Sequence, residues 1–126
     1  MAAALYYLGL AFLFTHELDA VTHSEWRLLL VLRSLPDDAA SAWFVGLHVP
    51  LFFLILWLSH ARHDRLRSGV RSVVAAFLVV HAALHFLLSS QEAYEFAGAL
   101  SNALILGAAA CGILFLAARR SSWRGP

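Results

Sequence analysis

Charge is what this chain has least of. Asp, Glu, Lys and Arg make up 13% of its 126 residues, while 61% are hydrophobic; ordinary soluble domains carry roughly 25% charged residues. A soluble chain of this length would build one small domain, with too little polar surface to cover its uncharged runs. The bilayer is therefore the solvent to assume. Lysine is absent: all nine cations are Arg, set against eight acids for a formal charge of +1. No field that would attract nucleic acid results. Cysteine occurs once, as Cys111 inside an apolar segment. That excludes an intrachain disulfide, argues against a thiolate metal cage and leaves packing as the thiol's role.

Positive charge is also missing ahead of the first apolar run, apart from the terminal amine, and no convincing small-x-small site follows it. Residues 2 to about 22 thus read as a first membrane span rather than a cleaved leader. Glu25, Trp26, Arg27 and Arg33 punctuate the next apolar stretch, which reads as a short interfacial helix over about 24–35. Pro36-Asp37-Asp38 breaks it, and Ser41 is placed to cap a second span over about 42–59. Within that span Pro50 removes a backbone hydrogen bond and is expected to bend the helix beside His48. His60 to Arg71 reads as a basic, solvated connection.

Proline is absent from Val73 to Trp123, too long a stretch for one crossing at ~1.5 Å per residue. Ser89-Ser90-Gln91-Glu92 offers a capping box for a reversal, giving spans over about 71–88 and 90–118. The expectation is a single all-α domain, an integral membrane four-helix bundle. Ala99, Ala103, Gly107 and Cys111, spaced by four, form a ridge suited to close packing within the bundle or against a second copy. By the positive-inside rule the 60–71 connection and the Arg119–Arg124 tail face the cytoplasm, which puts both termini on that side of a bacterial inner (plasma) membrane.

What the chain does have is histidine at depth. His16, Asp19 and His23 fall within about 60° on one helix stripe, with Glu17 about 100° away. His81 and His85, four apart, share a helix face and can bite one metal. Following each span by its direction brings His16, Asp19, His48, His81 and His85 to the external half of the bundle. Glu92, Glu95 and Asn102 open the fourth span near the same depth. Ionisable groups in a span are expensive and default to a functional reading.

His16-Glu17-Leu18-Asp19-Ala20 followed by Glu25-Trp26, with His81-x-x-x-His85 and Tyr94-Glu95-Phe96, resembles small uncharacterised bacterial four-helix membrane proteins of the HXXEE type. The resemblance implies such a bundle with a polar intramembrane site, and no particular reaction.

The residues themselves point first to a metal site with His16, Asp19, His48, His81 and His85 as ligands. Mixed imidazole and carboxylate donors suit iron or zinc. Glu17, Glu95 and Asn102 are the candidates to act on a lipid-soluble substrate in an oxidoreductase. Three other accounts compete. A haem held by two facing histidines would make an electron carrier. A His/Glu pair without metal could serve as acid and base in an isomerase. A polar network could simply fix helix register or conduct ions.

Overall fold

A computed structural model describes residues 1–123, and the fold is all-α. Four helices follow in order: α1 (Ala2–Thr22), α2 (Asp37–Ser59), α3 (Asp64–Leu88) and α4 (Ala99–Trp123). They run up, down, up and down. α1 begins where α2 ends, since Tyr6 hydrogen-bonds Ser59, and α4 ends where α3 begins, since Arg119 donates to Ser68 and Ser72.

Local chemistry sets the ends. Pro36, with φ −54° and ψ 142°, stands just ahead of α2, and Asp37 and Asp38 follow in the first turn, where negative charge offsets the helix dipole. The His23 ring N–H lies 2.8 Å from the Asp19 carbonyl oxygen and the His60 ring N–H 2.8 Å from that of Leu56. The His60 ring serves an acceptor in the last turn of α2, and the Asp19 carbonyl also accepts from the His23 backbone N–H and the Thr22 hydroxyl.

Four boundaries differ from the sequence expectation. The segment expected as an interfacial helix is helical only in two single 3-10 turns, Glu25–Arg27 and Leu32–Ser34, with Glu25, Trp26, Leu28 and Leu32 buried. Burying those four side chains under the bundle outweighs laying the segment flat. Ser41 lies inside α2, because Pro36 already starts that helix one turn earlier. Only residues 60–63 form the basic connection; Asp64 opens α3, so the arginines Arg65, Arg67 and Arg71 ride on helix. The capping box at Ser89 does not start a helix. The Ser89 hydroxyl instead donates to the Phe86 carbonyl at 2.7 Å and closes α3, and α4 begins only at Ala99. Of the expected cytoplasmic tail, Arg124 lies outside the described residues.

Asp37–Ser59, Asp64–Leu88 and Ala99–Arg120 are long and apolar enough to cross a membrane. α1 is of similar length but carries His16, Glu17 and Asp19 in its last two turns. It buries Tyr6, Gly9, Leu10, Leu13, His16 and Ala20, at the three- and four-residue spacing of a helix face turned inward. α1 and α3 both lie against α4. α2 stands further out, with Val49 72% and Trp57 62% exposed.

The core has two apolar parts. Tyr6, Leu10, Leu13, Val74, Leu78 and Phe115 pack towards the start of α1. Ala20, Trp26, Leu28, Phe44, Phe96 and Ile105 pack at the opposite, far end. Glycines let α4 approach its neighbours. A Cβ on Gly112 would sit 2.5 Å from the Ala75 carbonyl oxygen, and one on Gly107 2.8 Å from the Phe12 ring. Within the small-residue ridge, Gly107 and Cys111 are thus covered inside the bundle, whereas Ala99 and Ala103 are exposed.

Gly112→Ala should therefore destabilise the bundle, because the obstructing atom is backbone and cannot swing away. Overpacking towards the upper end of about 1–3 kcal/mol, less the ~1 kcal/mol that alanine gains in helix propensity, predicts a net loss of up to about 2 kcal/mol. Gly46→Ala, with open space around its Cβ, should lose nothing. Thermal unfolding of the two variants in detergent checks the contrast.

Candidate metal centre

Between the two apolar cores lies a polar cluster drawn from three segments. α1 supplies His16, α3 supplies His81 and His85 one turn apart, and the first 3-10 turn supplies Glu25. Each offers a donor atom, and these four atoms all lie within 4.8 Å of one another. All four residues are buried. The three imidazoles meet edge to face, with centroids 4.9 Å apart for His16 and His81, 4.9 Å for His16 and His85, and 4.7 Å for His81 and His85.

Glu25 approaches from outside the helices. Ser24, at φ 52° and ψ 43°, is left-handed, a conformation that costs a non-glycine residue roughly 1–2 kcal/mol. It reverses the chain so that Glu25 turns in beside the end of α1. The following residues are tied down: Trp26 Nε1 donates to Asp37 Oδ1 at 2.9 Å, and the Arg27 guanidinium reaches both Asp37 carboxylate oxygens at 3.0 Å. Carboxylate and imidazoles then face one another, with Glu25 Oε2 3.5 Å from His16 Nε2 and Oε1 3.9 Å from His85 Nε2. Burial pushes the Glu25 carboxyl up, but the His16 imidazole beside it and the charges that His16, His85 and His81 can carry outweigh burial. The carboxyl is held below its ordinary range.

These contacts are longer than hydrogen bonds. His16 Nδ1 and Nε2, Glu25 Oε2, His81 Nε2 and His85 Nδ1 are all buried without a hydrogen-bond partner. Leaving such an atom unmet costs about 1–3 kcal/mol, and each of the four clustered residues carries at least one. Four donors at ~2.0–2.1 Å from a tetrahedral ion would stand about 3.3 Å apart, so side-chain shifts of about an ångström would close the shell.

The other candidate residues take different places. His48 is near but turned to a neighbour: its Nε2 lies 2.9 Å from Glu17 Oε2, and its Nδ1 2.6 Å from the Phe44 carbonyl oxygen. Asp19 faces His23, at 3.3 Å, rather than His16. Glu95 is exposed, and Asn102, also exposed, donates to the Gly98 carbonyl at 2.9 Å in the first turn of α4. A helix from residue 90 would have turned both of these inward. The chain over 94–97 is not helical, and successive side chains there alternate, with Glu95 out and Phe96 in.

Sequence reasoning missed two residues. Glu25 looked like part of a surface helix, and no Gly or Asn at position 24 advertised the left-handed turn. Phe96 is fully buried, and its ring covers the cluster at 4.8 Å from His85 and 5.5 Å from His16; the aromatic, acidic, aromatic alternation of Tyr94-Glu95-Phe96 was its signal.

No curated protein and no solved structure matches the chain. The pattern of a family of unknown function matches residues 2–122 and so takes in every residue of the cluster. The family carries a designation other than the HXXEE type expected from the sequence. The chain belongs to this family of unknown function, DUF6713.

Proposed function

We propose that the protein is an integral membrane metalloprotein whose centre binds one iron or zinc ion through His16, His81, His85 and Glu25, and which serves as an oxidoreductase when the ion is iron. The observation that carries this reading is four buried residues whose donor atoms lie within 4.8 Å of one another, each of them carrying a polar atom without a hydrogen-bond partner. Three neutral imidazoles and one carboxylate suit these two metals better than the all-oxygen shells of magnesium or calcium. Iron would supply one-electron chemistry, and zinc would supply Lewis acidity.

A haem is the weaker alternative. His48, the histidine expected to face His81 or His85 across a haem, is engaged at both ring nitrogens, by the Phe44 carbonyl and by Glu17. In the membrane we place all four helices as spans. Arg62, Arg65, Arg67, Arg71 and Arg119 gather where α1 and α3 begin, so both termini are cytoplasmic and the centre lies in the opposite leaflet.

Elemental analysis of detergent-purified protein should find about one ion per chain. His81→Ala and His85→Ala should lose it while retaining the thermal transition. Glu25→Gln should lower affinity beyond the ~10–100-fold typical of outer-shell changes. His48→Ala should keep the ion, since His48 is engaged with Glu17. Wild-type protein that stays metal-free after growth in supplemented medium and after titration with Fe2+ and Zn2+ would overturn the reading.

Asp37 holds the turn that presents Glu25. Asp37→Ala is expected to weaken metal binding by about 10-fold without removing a ligand, as competition with a chelator would measure. Acid should release the ion. Imidazoles bind a metal only when neutral, so dialysis from neutral into increasingly acidic buffer followed by metal analysis should show occupancy falling.

A further inference from the structure

Beside the centre, on the side facing α2, lies a cavity of about 320 Å3, near the lower limit for small-ligand pockets. It has one polar region: Glu17 and His48, with Glu25, His81 and His85 adjacent. The remaining walls are Leu and Phe side chains. Its mouth is the gap between α2 and α3, edged by Leu47 and Leu51 on one helix and Phe77 and Leu84 on the other, and all four are exposed. These residues sit in the middle and far halves of helices long and apolar enough to cross a membrane. The opening therefore meets hydrocarbon rather than water.

This arrangement restricts what can enter. A charged or many-hydroxylated molecule would lose its hydration on the way through an apolar mouth and recover little of it inside. A pure hydrocarbon would lie against the polar edge that Glu17 and His48 present and offer it no partner. The volume holds one ring or a medium-length chain, not a whole membrane lipid. The recognising group is itself fixed. His48 is held at both nitrogens, by the Phe44 carbonyl and by Glu17, so the pair presents a set edge to the cavity.

We propose that this cavity binds an uncharged, largely apolar molecule with a single hydroxyl or carbonyl oxygen, which enters from the bilayer between α2 and α3 and directs that oxygen to the Glu17–His48 pair beside the metal centre. The proposal rests on the membrane reading above and names the substrate class of the same site. Binding itself needs no ion. Glu17 and His48 act here as binding residues that orient the oxygen towards His81 and His85.

The test is photolabelling of the full chain in lipid nanodiscs with a diazirine-bearing decanol, the labelled residues being mapped by mass spectrometry. Labels should concentrate on the α2 and α3 residues of the cavity. Unlabelled decanol should compete about 5- to 10-fold better than decane, the worth of one buried hydrogen bond. His48→Leu should abolish that preference. Leu84→Trp, which fills the mouth from a half-exposed position, should abolish labelling, with metal content and thermal midpoint unchanged. Labels scattered over the lipid-facing surface, or decane competing as well as decanol, would overturn the proposal, the latter showing a cavity filled by acyl chain. Metal measured on the same samples separates the two readings. Metal-free protein with specific labelling supports the cavity and removes the metal centre, whereas metal-loaded protein with scattered labels removes the cavity alone.

Discussion

Polar side chains enclosed by apolar helices have no water to fall back on, and the arrangement of this molecule follows from that constraint. The helices satisfy their own backbone groups. His16, His81, His85 and Glu25 are not satisfied in the same way, and they stay in place because everything around them is fixed. Leu13 and Leu78 belong to the core on one side, and Phe96 closes the other. Glycine contacts bring α4 close enough to hold α1 and α3 in register. Among the described residues, local rules of polar satisfaction are broken at this cluster and at the nearby Asp19 Oδ2, and such a breach is the usual mark of a site rather than of a scaffold.

The two ends do different work. Where α1 begins, Arg71 donates to the Tyr7 hydroxyl and the Ser59 carbonyl and lies over the Tyr6 and Tyr7 rings, while Arg119 fastens α4 to α3. At the far end Asp37 binds Trp26 and Arg27. α2 is thus tied at its first residue and near its last, and it is covered only lightly between. A helix fastened at its ends and thinly packed along its middle leaves room beside its neighbour, and there the cavity between α2 and α3 survives.

Much of this was legible in the sequence, for reasons that can be named. Hydrophobic run lengths and the missing charge gave the all-α class and the approximate helices, because span length is set by membrane thickness. The four-residue spacing of His81 and His85 and the polar stripe of α1 brought three of the four cluster residues together. What stayed hidden depends on backbone conformations that short-range patterns do not encode. The Ser24 turn has no glycine to announce it, so Glu25 was missed and Asp19 and His48 stood in its place. Helix was extended to residue 90 by a Ser/Glu pattern that forms no cap, and this put Glu95 and Asn102 on an inward face that the extended chain over 94–97 denies them.

The left-handed residue at position 24 has a consequence for how such a protein can change over generations. Three of the clustered groups are set by helix packing, where altering one position disturbs several neighbours. The fourth rides on a non-helical turn at the head of a segment that is itself anchored in the far core by Trp26, Leu28 and Leu32. Substitutions confined to positions 24 and 25 can withdraw or remove the acid while the imidazoles keep their geometry. Scaffold and charge at the centre are therefore open to selection separately.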